Sequence, residues 1–161
     1  MVNRDKPVVA ILMGSNKDLE VMGEAKRVLD EFGVESEIQV ISAHRTPEKC
    51  RRFARGAAKR GIKVIIAGAG KAAHLAGVVA SYTTLPVIGV PLDAGLGGLD
   101  ALLSTVQMPA GVPVATMTIG RSGAINAALL AVAILGLSNQ ELKGKLEGFR
   151  KRQAKEAGKR G

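Results

Sequence analysis

The sequence predicts an α/β fold in which a five-stranded parallel sheet carries helices on both faces. Three observations lead there. Short Val/Ile/Leu-rich runs alternate with segments of helical apolar spacing, and five such β–α units follow one another without a long linker. Glycine, proline or small polar residues stand at nearly every junction. The chain has 161 residues and is 47% hydrophobic with 2% aromatic residues, so the core must come from Val, Ile, Leu and Ala. This length suits one domain over 1–161, with a tail at 1–6 and a terminal helix at about 138–158.

The elements follow in order. Residues 7–13 form a continuous apolar run that ends at Gly14-Ser15, a buried strand. Residues 18–32 place Met22, Ala25, Leu29 and Phe32 on one helical face, and Gly33 stops the helix. A more polar strand spans 34–41. Thr46 as N-cap and Pro47 at the first helical position open a second helix with Cys50, Phe53, Ala54, Ala57 and Ala58 on its apolar face. A third strand is expected at 64–67, a small-residue helix at 74–82, and a fourth strand at 86–90. A Gly-rich loop at 93–98 precedes a helix at 99–106. A fifth strand at 113–119 leads through Gly120-Arg121-Ser122-Gly123 into an apolar helix ending at Leu137. Ser138 or Asn139 then caps the terminal helix. Between Ile125 and Leu137 only Asn126 is polar, so both sides of that helix need cover. The sheet supplies one cover, and a second subunit is the simplest other; an obligate homo-oligomer is expected.

Composition excludes several function classes. One cysteine, Cys50, permits no disulfide framework, and two histidines 30 residues apart make no metal-binding cluster, so no metal is expected. The longest apolar stretch, 127–137, falls well short of the roughly 18 residues a membrane span needs. No signal peptide is visible, and a cytoplasmic location is expected. The net charge is +9, of which residues 141–161 contribute +5. A basic tail can bind nucleic acid. With so few aromatic side chains to stack bases, a solvated helix face is the preferred reading and nucleic acid is not an expected partner.

In a parallel α/β fold, chemistry gathers at the carboxyl ends of the strands. After the first strand, Gly14-Ser15-Asn16-Lys17-Asp18 opens a helix, where backbone N–H groups and the Ser15 hydroxyl suit an anion. Asp18 can accept from two ribose hydroxyls or simply cap the helix. After the second, Ser42-Ala43-His44-Arg45-Thr46-Pro47 offers Ser42 and Arg45 as phosphate ligands. His44 is either an acid–base group near neutral pH or a loop histidine bonded to backbone. After the third, Gly68-Ala69-Gly70-Lys71-Ala72-Ala73-His74 lets a ligand approach the backbone closely. His74 either acts directly or packs at a helix start. Ile65 and Ala72 stand where a P-loop needs Gly and Ser/Thr, so that route to ATP is rejected. Gly68, Gly70 and Ala73 fit a dinucleotide fingerprint only weakly, since that motif normally follows the first strand. No G-x-S-x-G nucleophile motif occurs. A phosphate and ribose pocket with a neutral-range base and no cofactor suggests proton transfer on a phosphorylated ribonucleoside-like molecule. A non-catalytic nucleotide-binding module and a nucleic-acid binder are the competing classes.

The runs Gly14-Ser15 with Asp18, 42–47, 67–70 with Ala72-Ala73-His74-Leu75, 106–109 and 111–116 together resemble the PurE family, in order and spacing, over about residues 7–155. The resemblance implies a three-layer αβα sandwich with a flavodoxin-like, Rossmann-like five-stranded sheet, usually assembled as an octamer. It also implies conversion of N5-carboxyaminoimidazole ribonucleotide to its C4-carboxylated isomer, with direct carboxylation of aminoimidazole ribonucleotide by carbon dioxide as the alternative. By the same resemblance, Ser15 and Arg45 hold the phosphate with Ser42 nearby, and Asp18 holds the ribose. The Gly70–Lys71 backbone holds the migrating carboxylate, His44 moves the proton and His74 supports the site. An ATP-dependent synthase is the implied supplier of substrate. The loop at 93–98 and the terminal helix are the lid candidates. Lys17, Lys71 and Ala76 stand where the family pattern has Ser, Gly and Pro, and the loop after Val90-Pro91 is one residue shorter and carries Asp93. Lys71 is expected to add a cation beside the carboxylate pocket that the resemblance implies.

Overall fold

A computed structural model describes residues 6–159; of the expected tail at 1–6, all but Lys6 lies outside the described residues. Five strands, β1 (Val9–Met13), β2 (Ser36–Val40), β3 (Val64–Gly70), β4 (Val87–Leu92) and β5 (Ala115–Thr116), form one parallel sheet in the order β2-β1-β3-β4-β5. The helices are α1 (Leu19–Phe32), α2 (Pro47–Ala57), α3 (Leu75–Ala80), α4 (Leu99–Val106), α5 (Arg121–Gly136) and α6 (Gln140–Gly158). This is the three-layer flavodoxin-like arrangement, with the topological switch between β1 and β3.

Central strands are apolar throughout because both faces are covered. Val9, Ile11 and Met13 of β1 point with Val64 and Ile66 of β3 toward α1, α5 and α6. Ala10 and Leu12 point with Ile65 and Ala67 toward α2 and α3. The edge strand β2 is only half-buried, which accounts for its Ser, Glu and Gln. Helix α1 buries Met22, Ala25, Val28, Leu29 and Phe32 and ends at Gly33, whose φ of 71° is a left-handed stop. Cys50 sits buried on α2, and desolvation pushes its thiol pKa up. That favours a packed, unreactive thiol.

Several boundaries differ from the sequence reading. Ala58 is exposed, because the last residues before Gly61 tighten into a 3-10 turn. Thr46 precedes α2 but does not cap it; its hydroxyl donates to the Ser42 carbonyl at 2.9 Å. β3 and β4 each extend beyond their expected ends, and α3 is shorter than expected. β5 shrinks from an expected seven residues to two. At its carboxyl end the reason lies in β4. Gly120 N–H donates to the Pro91 carbonyl at 2.8 Å, so the Pro91 nitrogen faces the same side. Lacking an N–H, it cannot continue the ladder.

The second cover of α5 comes from within the chain. Helix α1 packs against one flank of α5 and α6 against another, and Leu142, Leu146 and Phe149 of α6 join the same core. The argument that α5 itself requires another subunit is therefore corrected. Asn139 caps α6, its Oδ1 accepting from Glu141 N at 3.0 Å and Leu142 N at 3.2 Å. Beyond Phe149 and Arg150, residues 151–159 are exposed on every side. No helix among the described residues is long and apolar enough to cross a membrane.

Candidate active site

The loops after β2, β1 and β3 lie side by side because those strands are neighbours. Ser15 and Asp18 form a capping box around the first turn after β1. The Ser15 Oγ accepts from Lys17 N at 3.3 Å, and Asp18 Oδ2 accepts from Ser15 N at 3.1 Å. Asp18 thus does not cap α1 with its side chain; it reaches backward and locks the loop. Partial burial raises its pKa, an effect the Ser15 N–H bond opposes in part.

The loop after β2 is wound around Ser42. Its Oγ accepts from Arg45 N at 3.1 Å and Arg45 Nε at 3.4 Å, while Ser42 N donates to Thr46 Oγ1 at 3.2 Å. Arg45 then crosses to the neighbouring loop, its Nη2 donating to the Gly14 carbonyl at 3.0 Å. The guanidinium is exposed yet held from two sides, beside the N–H groups that open the turn at Ser15. Such an arrangement is suited to a phosphate.

His44 and His74 meet although 30 residues separate them. His44 Nε2 lies 2.8 Å from His74 Nδ1, with the rings edge to face at 82° and centroids 4.8 Å apart. One nitrogen donates and the other accepts, so the pair shares a proton. With Nε2 engaged, Nδ1 is the His44 nitrogen left to exchange a proton with a ligand. Both rings are exposed at the mouth rather than packed in a core. Gly70 runs close to the next loop: a Cβ there would come within 2.8 Å of the Ala94 Cβ and 3.1 Å of the Leu92 carbonyl. A Cβ on Gly68 would overlap the Met22 sulfur, so α1 closes over the end of β3 only because position 68 has no side chain.

Every site residue expected from sequence, Ser15, Asp18, Ser42, His44, Arg45, Gly70, Lys71 and His74, falls at the ends of these three adjacent strands or in the loops that follow them. Asp93 does not join them by any bond; its Oδ1 accepts from Gly95 N at 3.0 Å within its own turn. Arg121, after β5, is committed to Glu24 of α1 at 2.6 Å. The sequence reading missed two supports on α4. Thr105, a buried hydroxyl, bonds the Ala101 carbonyl at 2.8 Å and approaches that of Ala73 at 3.5 Å. Ser104 Oγ bonds the Asp100 carbonyl at 2.7 Å and approaches that of Lys71 at 3.5 Å. The available signal was two adjacent hydroxyls in the second half of a helix whose other residues there are apolar. Among the described residues no cluster of three or more His, Cys, Asp or Glu could hold a metal.

Comparison with known proteins narrows the meaning of this site. The model of the AIR carboxylase family matches residues 8–156. The chain belongs to the AIR carboxylase family. It is 58% identical over 160 residues to the N5-carboxyaminoimidazole ribonucleotide mutase of Pyrococcus horikoshii, covering 97% of this chain and 89% of that one. Against the mutase of the same name from Mycobacterium tuberculosis strain H37Rv, identity is 57% over 151 residues, 93% of this chain and 86% of the relative. The crystal structure of Treponema denticola PurE superimposes with a TM-score of 0.85 at 29% identity, covering 94% of each chain. As a family member with relatives this similar, the protein is an enzyme of the isomerase class.

Proposed function

We propose that this protein converts N5-carboxyaminoimidazole ribonucleotide to 4-carboxyaminoimidazole ribonucleotide, a step of purine biosynthesis. The single observation that carries the reading is the His44–His74 bond beside the Arg45–Gly14 bridge, which joins an acid–base pair to an anion seat. Relatives at 57–60% identity that carry the mutase name support it, and favour it over direct carboxylation.

Arg45, Ser15 and Ser42 hold the phosphate. Asp18 accepts from the ribose diol through the carboxylate oxygen not bonded to Ser15. The Gly70–Lys71 backbone faces the carboxyl group in transit. In the reaction the carbamate C–N bond breaks and releases carbon dioxide, while the exocyclic nitrogen takes a proton from His44, which is thereby left free to accept one later. The ring carbon then attacks the carbon dioxide, and His44 removes the proton displaced from that carbon. His74 holds the tautomer and orientation of His44. The balance needs no oxidant and no cofactor. The loop at 93–98 and the exposed end of α6 are the lid candidates, since closure must retain carbon dioxide.

The family match over 8–156 supports reading the chain as one PurE-like domain, and a cytoplasmic location is part of the same proposal. A homo-oligomer is supported by a different surface from the one expected, and the octamer is the count the family resemblance implies. Leu99, Leu103 and Val106 form an exposed stripe on α4 beside Leu96, which is 82% exposed. Because the carbamate substrate is unstable, coupling to an ATP-dependent synthase is part of the proposal.

The test is turnover of purified protein with two substrates in parallel. Fast conversion of N5-carboxyaminoimidazole ribonucleotide at low bicarbonate, with poor use of aminoimidazole ribonucleotide plus bicarbonate, is expected. Preferential use of the second substrate makes the protein a carboxylase instead. Conversion of neither overturns the reading.

A further inference from the structure

Lys71 carries a feature that its neighbours do not explain. Its φ is 55°, left-handed, and among the described residues only Leu96 is another non-glycine residue with positive φ. A lysine there is strained where glycine would be relaxed. The conformation is held by a backbone bond: the Lys71 carbonyl accepts from Ala73 N at 2.8 Å, and Ser104 Oγ, already donating to the Asp100 carbonyl, approaches it at 3.5 Å. The side chain is exposed, and its ammonium pairs with no carboxylate among the described residues. Strain retained at the mouth of a site points to a use for the side chain. Position 71 is also the first residue beyond β3, and it carries a charge that position 70 has no room for. At Gly70 the space a side chain would need is taken by Ala94 and the Leu92 carbonyl.

We propose that the Lys71 ammonium stabilises the carboxyl group during its transfer, so that strain at this residue is tolerated for retention of carbon dioxide. The inference deepens the mutase reading and rests on it. Carbon dioxide is neutral, but negative charge grows on its oxygens as the ring carbon attacks. A cation one residue beyond Gly70 and three before His74 favours that attack over escape. The cation also attracts the carbamate carboxylate before its C–N bond breaks. Its exposure screens the effect relative to a buried donor.

The experiment compares native protein with Lys71→Met, Lys71→Arg and Lys71→Gly. For each, kcat, KM and the ratio of carboxylated product to released aminoimidazole ribonucleotide are measured, together with Tm. In Lys71→Met, kcat/KM is expected to fall about tenfold and the product ratio to shift toward the decarboxylated nucleotide. Lys71→Arg recovers most of both. Lys71→Gly shows the same catalytic loss while its Tm rises by about 2 °C, since the strain is gone. Native kcat/KM and product ratio in both the Met and Gly variants overturn the proposal, as does equal loss in the Arg and Met variants. The Tm readings separate these results from misfolding. Native protein inactive toward both substrates overturns the mutase reading first, and this inference with it.

Discussion

Side chains hold and cross-link the loops after β1, β2 and β3, whereas the loop after β4 and the turn after β5 are shaped mainly by their glycine backbone. In the first region Asp18 bonds Ser15, Ser42 bonds Arg45, Arg45 bonds Gly14 and His44 bonds His74. In the second, Gly95, Leu96, Gly97 and Gly98 run with positive φ one after another, and Asp93 closes a local turn. A Cβ on Gly123 would overlap the Thr118 carbonyl oxygen, so the turn into α5 closes only on glycine. The same β–α connection therefore serves two ends. Side-chain bonds fix polar groups in space at the cost of exposing them, which suits recognition and proton transfer. Backbone turns fix the path of the chain and leave side chains such as Leu96 free to meet something else.

The largest expected effect breaks the first region at its centre. His44→Asn removes the acid–base nitrogen, and turnover should fall by about 10²- to 10⁴-fold while ligand binding persists. Full activity would remove His44 from the mechanism. The second region should break through stability instead. Gly123→Ala is expected to cost about 3 kcal/mol, lowering Tm by about 6–12 °C, with kcat per folded molecule unchanged.

Asp18→Asn sharpens the contrast between recognition and stability. The amide oxygen can still accept from Ser15 N, but the charge facing the ribose is gone, and KM should rise about 10- to 100-fold. Tm at neutral pH should not fall. The sign follows from burial, which raises the Asp18 pKa above 3.8. Ionised Asp18 therefore costs the fold stability above its raised folded-state value, and that cost vanishes as pH falls below the unfolded value. Any Tm advantage of the Asn variant should shrink toward acid pH. An advantage that grows in acid would contradict the desolvation argument. The smallest effect on the subunit is expected for Leu103→Gln on α4, below about 0.5 kcal/mol, because half of the side chain is already exposed. A fall in assembly mass measured by light scattering would assign the stripe to contact between copies, and an unchanged mass would not.

Most of the fold was legible because burial on both faces writes an unbroken apolar run, as in β1 and the start of β3, and a helix on a sheet writes a periodic one, as in α1. The site loops were legible for a related reason. Strand ends are the one place in this architecture where His, Arg, Ser and Asp cluster without a packing role. Less was legible where the deciding group sits on another strand. β5 looked long in sequence, but Pro91 in β4 cut its ladder short. Helix α5 looked uncovered, but α1 and α6 reach it from distant parts of the chain. The stripe on α4 went unread because its exposure depends on how the helix is rotated against β4.

The sequence alone determined the α/β class, the helix stops at Gly33 and Gly61, and the set of polar residues at the strand ends. These depend on local conformation and on periodicity, which a chain carries wherever it folds. Tertiary structure decided which of those residues meet. His44 and His74 become a pair, and Arg45 reaches Gly14, only because β2, β1 and β3 stand side by side. Tertiary structure also decided that Lys71 is strained, since its φ follows from the path the loop takes beneath Ser104. Distances across a sheet arise from strand order, and no local stretch of sequence contains that order.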